Sequence, residues 1–148
     1  MPGGKREFPG SLGTQVVKVF DRVAARTGLR DREALEAGYI PLTVALTVWD
    51  HKVYYLGATR VHLRLTGDRR SGRLLGVQIV GRRTAEIAKR IDIAATALFH
   101  AMPVNDLSDL DLAYTPPLSS PRDPVQMAAQ AWCATAKTNH RRKGASAG

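Results

Sequence analysis

Polar and apolar residues alternate most cleanly in the middle of the chain. In residues 40–49, IPLTVALTVW, Leu42, Val44, Leu46 and Val48 share one side and Thr43, Ala45 and Thr47 the other. Side chains of a strand point alternately to its two faces, so this pattern predicts a half-buried strand. Residues 59–65, TRVHLRL, repeat it with Val61, Leu63 and Leu65 against Arg60, His62 and Arg64. The turn sequence GDRRSG follows, and then residues 73–80, RLLGVQIV, with Leu75, Val77 and Ile79 as the expected inner positions. Three strands with short connections predict an antiparallel meander. Residues 14–20, TQVVKVF, predict one more strand ahead of them.

The apolar period then changes. Between residues 84 and 101, Ile87, Ile91, Ala94 and Leu98 recur at steps of four, three and four, which gives one stripe on a long helix. Ala95, Ala97 and Ala101 leave its flanks thin. Pro103 cannot continue the helix and is expected to open a short one. Residues 21–39 carry Ala24, Ala25, Ala34 and Ala37 and read as helical, split into two short pieces by Gly28. YTPPLSSPRDP, residues 114–124, is expected to be extended or turned, and residues 124–136 predict a final helix. The order β-α-β-β-β-α-α predicts an α+β domain, a small antiparallel sheet with helices packed on one face. The expected division is a flexible arm at residues 1–13, one domain at 14–136 and a disordered basic tail at 137–148.

Length and composition narrow the function. The 148 residues suit one domain and one core, not two large cofactor domains. No long apolar run predicts a membrane span, and MPGGKREFPG lacks the apolar centre of a secretory signal, so a cytoplasmic protein is expected. The formal net charge of +9 raises nucleic acid as a partner. However, Lys137, Arg141, Arg142 and Lys143 lie in the tail, and the other charges are spread with opposite signs between them. A solvated surface is the expected reading. The single cysteine, Cys133, excludes an internal disulfide and a CxxC redox pair, and its alanine-rich surroundings predict a packing or surface thiol. His51, His62, His100 and His140 show no metal-ligand spacing, so no metal is expected.

The order of several short segments is more specific. TQVVKVFD precedes AARTGL; HKVYYLGA occupies residues 51–58; GRLLGVQIVG occupies 72–81; RID occupies 90–92; DLAYTPP occupies 111–117. Together they resemble the C-terminal dimerisation domain of FAD-dependent pyridine nucleotide-disulfide oxidoreductases, in the branch of coenzyme A-disulfide reductases, NADH oxidases and persulfide reductases. HKVYYLGA is similar to that family's His-x-x-Tyr-Tyr-Pro-Gly segment, with Leu56 where proline is usual. The resemblance runs from about Gly13 to about Met127. It implies a two-fold dimer in which two tyrosines reach the partner subunit's redox cysteine and flavin. The matching positions are Tyr54 or Tyr55, and Tyr114. A phenol there would donate a hydrogen bond to sulfur and pack its ring on substrate or flavin.

The resemblance also implies FAD and NAD(P)H as the parent enzymes' cofactors. They bind through Gly-rich βα turns, GxGxxG, and this sequence has none, so it is not expected to hold either cofactor alone. Three functions follow as expectations. The first is a homodimerising interface domain that contributes tyrosine loops and does no chemistry alone. The second is an adaptor or regulator that pairs with a separate flavoprotein, or binds nucleic acid through its tail. The third is an autonomous enzyme using Tyr54, Tyr55, Tyr114, His51 and Asp123, for which the sequence offers no general base–nucleophile pair.

Overall fold

A computed structural model describes Phe8 and residues 10–145, with the side chains of residues 139–145 outside the description. The strands are β1 (Gln15–Val19), β2 (Arg22–Gly28), β3 (Pro41–Trp49), β4 (Arg60–Asp68) and β5 (Leu74–Arg82). The helices are α1 (Asp31–Glu36), α2 (Ile87–Phe99), α3 (Val104–Ser108) and α4 (Pro124–Ala145). The five strands form one antiparallel sheet in the order β1-β2-β5-β4-β3. The α+β class and the β3-β4-β5 meander are as the alternation predicts.

The first helical expectation is wrong. Residues 22–28 are strand β2, paired with both β1 and β5. Only Asp31–Glu36 of that region is helical. The element order is therefore β-β-α-β-β-β-α-α-α. Alanine favours helix only weakly, and tertiary packing overrides it. Val23, Ala25 and Thr27 alternate inward while Arg22, Ala24 and Arg26 face out. Gly28 ends this strand rather than splitting a helix. Its φ of +69° is in the left-handed region, and a Cβ there would collide with the Leu75 carbonyl and the Leu98 side chain.

One sheet face carries the core. Val61, Leu63, Leu65, Val77 and Ile79 meet Ile87, Ile91, Ala94 and Leu98 of α2, and Val104 and Leu107 of α3 close the cluster with Val125, Ala128 and Ala129 of α4. The Trp132 indole of α4 passes over Gly67, where a Cβ would strike the ring, and its Nε1 donates to the Leu42 carbonyl at 2.7 Å. The short α1 lies at one end of the opposite face. There Asp31 accepts from the Thr43 hydroxyl at 2.6 Å and from Arg64 at 2.8 Å. The Thr43 hydroxyl, more than Thr66 and Arg64, holds the Asp31 carboxyl below its ordinary value against the cost of burial.

Three helix boundaries move. The chain before α2 makes a 3-10 turn at Arg83–Ala85, and Glu86 is left-handed with φ 50°, so the helix starts at Ile87. It ends at Phe99. Ala101 turns left-handed, and the Met102 amide donates back to the Ala97 carbonyl at 2.9 Å, a Schellman-type stop. Pro103 then caps α3. The last helix runs past residue 136 to Ala145. Ala134, Ala136 and Lys137 favour helix, and no glycine or proline interrupts the chain before Gly144. The expected arm at residues 1–13 lies mostly outside the described residues.

Candidate functional site

The three tyrosines singled out from the sequence lie on two loops that the fold brings side by side. The first loop leaves β3 after Trp49 and returns at Arg60 to β4. Asp50 closes its neck. The Asp50 amide donates to the Thr59 carbonyl at 3.0 Å, and the Thr59 amide donates to Asp50 Oδ1 at 2.7 Å. The other carboxylate oxygen sits 3.1 Å from His51 Nδ1, with both side chains buried. Inside the loop the Tyr55 amide donates to the Lys52 carbonyl at 2.9 Å, and Gly57 turns left-handed. Tyr54 and Tyr55 stand out from this turn, 72% and 40% exposed, with ring centroids 5.0 Å apart.

The second loop connects α3 to α4. Leu118 and Ser119 both donate backbone N–H groups to the Thr115 carbonyl at 3.0 Å, so the Pro116–Pro117 pair sits on a tight turn. The Lys52 amide of the first loop donates to the Pro116 carbonyl of the second at 3.3 Å. Tyr114, 45% exposed, borders a cleft of about 450 Å³. Ile93, Leu112 and Leu118 give that cleft apolar walls, and Glu86 and Lys89 give it one charge of each sign. Arg90 and Asp123 also line it.

Arg90 is the group sequence reasoning did not assign to the site. It is buried on α2, and its three guanidinium nitrogens go three ways. Nε donates to Asp123 Oδ2 at 2.9 Å, Nη2 donates to the Asp50 carbonyl at 2.9 Å, and Nη1 donates to the Ala85 carbonyl. Asp123 in turn caps α4 through the Val125 amide at 2.9 Å, and the Gln126 side chain accepts from the Asp123 amide at 3.0 Å. This is a reciprocal cap of the kind an Asp-x-x-Gln spacing builds. The available signal was a charged residue flanking the apolar stripe of α2, in the RID segment. Its partners lie 33 and 40 residues away in the chain, beyond any local pattern.

Tyr54, Tyr55 and Tyr114 thus share one edge of the domain. His51 and Asp123 are both buried beneath that edge, each tied to a partner, and neither is arranged as a base beside a nucleophile. His62 lies on the opposite sheet face with Nδ1 2.8 Å from the Thr47 hydroxyl, and His100 ends α2. Among the described residues no cluster of His, Cys, Asp and Glu is placed to hold a metal. Cys133 is half-buried on α4, and burial, more than the opposing pull of Lys137, pushes its thiol up, away from a reactive thiolate. A wider groove of about 730 Å³ beside α1 is walled by charged side chains already paired with one another, such as Arg30–Glu33 and Arg32–Glu36.

Residues 14–124 match the family model of the pyridine nucleotide-disulphide oxidoreductase dimerisation domain. The chain belongs to that family. Relatives of this dimerisation domain include the NAD(P)H sulfur oxidoreductase (CoA-dependent) of Pyrococcus furiosus. It is 39% identical over 123 residues, covering 83% of this chain and 27% of the relative. The coenzyme A disulfide reductase of Staphylococcus haemolyticus is 37% identical over 120 residues, covering 81% and 26%. Among solved structures, the NAD-dependent persulfide reductase of A. fulgidus superposes with a TM-score of 0.83 at 40% identity, covering 93% of this chain and 25% of that one. The chain spans about a quarter of the length of the relatives it matches. The matched segment holds both tyrosine loops, Arg90 and Asp123.

Proposed function

We propose that this dimerisation domain pairs two-fold and lends its tyrosine loops to a FAD- and NAD(P)H-dependent reductase of coenzyme A disulfides or persulfides. The observation that carries the reading is the meeting of the Tyr54–Tyr55 loop and the Tyr114 loop at one exposed edge. Exposed phenols over a rigid polar floor suit a role completed by another surface. Among the described residues, the buried His51 and Asp123 are each tied to a partner, His51 to Asp50 and Asp123 to Arg90. In the assembled enzyme, Tyr114 and one of Tyr54 and Tyr55 donate hydrogen bonds to a sulfur leaving group, while their rings pack on substrate or flavin. FAD and NAD(P)H bind to other domains, and the chain's own part is interface and positioning.

The sheet supports pairing as well. Val17 and Val80 are exposed on the face that α2 and α4 leave open, and Val16, Val19 and Phe20 are exposed around the edge strand β1. A self-complementary surface of this kind is what a two-fold dimer buries. The test is absolute mass by light scattering across a protein dilution series. A mass twice the monomer, held on dilution, is expected. A monomer at every concentration refutes the self-pairing part. In an enzyme assembled with the cofactor domains, Tyr114→Phe is expected to lower kcat by about 10²-fold or more with the dimer mass unchanged. An unchanged kcat refutes the tyrosine part.

A further inference from the structure

We infer that Arg90 is the positioning residue that sets the two tyrosine loops against each other. The inference takes the loops' chemistry from the proposed function, but the coupling is a property of this chain and is tested on it alone. The direct link between the loops is a single backbone bond, Lys52 N–H to Pro116 O, at 3.3 Å the longest in this network. The indirect link is shorter and charged. One arm of the Arg90 fork grips the Asp50 carbonyl at the neck of the first loop, and another grips the Asp123 carboxylate at the end of the second, both at 2.9 Å. The third arm returns to Ala85, in the turn that leads into α2. Each nitrogen of a planar guanidinium thus serves a different segment.

Docking α2 does not require this arginine. Ile87, Ile91, Ala94 and Leu98 already bury the helix against the sheet. A buried ion pair is a poor way to gain stability, because desolvating both charges offsets most of their attraction. Its use here lies in direction. Three bonds from one planar group, two to backbone carbonyls and one to the Asp123 carboxylate, fix three chain segments in one arrangement, and two of those segments carry the tyrosines. Lysine offers one compact donor head and cannot reach all three acceptors.

The test follows amide hydrogen exchange, residue by residue, in the full chain and in Arg90→Ala, Arg90→Lys and Asp123→Asn. In both Arg90 variants, the Lys52 and Thr59 amides of the first loop and the Leu118 and Ser119 amides of the second should exchange at least about tenfold faster together. Central amides of β4 and β5 should change by less than about threefold. Methylguanidinium added to Arg90→Ala should restore slow exchange at both loops. Asp123→Asn should loosen Val125 and the second loop and leave Thr59 protected through Asp50. Acceleration in one loop only, a uniform acceleration that includes the strands, no rescue, or a Thr59 response to Asp123→Asn would each overturn the inference. Should Arg90→Ala not fold, Arg90→Lys and Asp123→Asn carry the same comparison. A monomer in light scattering with this exchange pattern intact removes the pairing reading and leaves the Arg90 inference. A dimer without the pattern does the reverse.

Discussion

The sheet–helix core and the tyrosine edge are held by different physics. In the core, Leu63, Leu65, Val77 and Ile79 belong to one apolar cluster with residues of α2 and α4, and no single contact decides the arrangement. At the tyrosine edge, Val53, Tyr54, Leu56 and Leu118 are exposed and bury little apolar surface. Their loops are placed by a few polar bonds that converge on Arg90, Asp50 and Asp123. Apolar packing is redundant and degrades gradually. A polar junction is precise, and each member is a point of failure, because removing one partner leaves the other buried without compensation.

That contrast is sharpest in substitutions. Asp123→Ala strands the Arg90 charge and uncaps α4, so a loss of about 3–5 kcal/mol is expected in urea unfolding. A loss below about 1 kcal/mol would mean that water replaces the carboxylate and the junction is less closed than its burial suggests. Ile91→Ala opens a cavity in the shared core and should cost about 3 kcal/mol, with the unfolding slope unchanged. Trp132→Phe keeps most of the ring over Gly67 but forfeits the bond to the Leu42 carbonyl, for an expected cost of about 1–2 kcal/mol.

Acid should act on the sheet through Asp68. Burial pushes the Asp68 carboxyl up, but the Ser71 hydroxyl and the Ile40 and Ser71 amides outweigh it, so its value lies below the ordinary 3.8. A depressed carboxylate adds stability that is fully present above the unfolded value and is lost as pH falls through the folded one. Asp68→Asn should therefore flatten the decline in stability below about pH 4, measured by thermal unfolding at stepped pH. Tyr55→Ala should have the smallest effect, within about 0.5 kcal/mol. A cost above about 1.5 kcal/mol would show that this tyrosine packs inward and belongs with the core.

How much of this was legible in the sequence follows the same division. Alternation placed β3, β4 and β5, and a stripe at helical spacing placed α2, because one-sided burial writes its period directly into the residues. Strand β2 was misread because the adjacent Ala24 and Ala25 carry helix propensity at the centre of a short alternation. Ala25 is buried and Ala24 exposed, as the alternation with Val23 and Thr27 requires of a strand. The tyrosine segments were visible as an ordered set of motifs. The Arg90 junction was not, since it joins residues from three parts of the chain through side-chain and backbone bonds that leave no periodic trace.

Strand order carries a consequence for how the molecule assembles. Pairing of chain neighbours gives the β1–β2 hairpin and the β3–β4–β5 meander, but β2 must find β5 across the whole of α1, β3 and β4. The Ala25–Ile79 and Thr27–Val77 registers are therefore a late clasp between two locally formed halves. Contacts of such long sequence separation slow folding, so the rate should be limited by this seam rather than by either hairpin. Until it shuts, one edge of β5 and one edge of β2 stand without a partner strand, open to pairing with another chain.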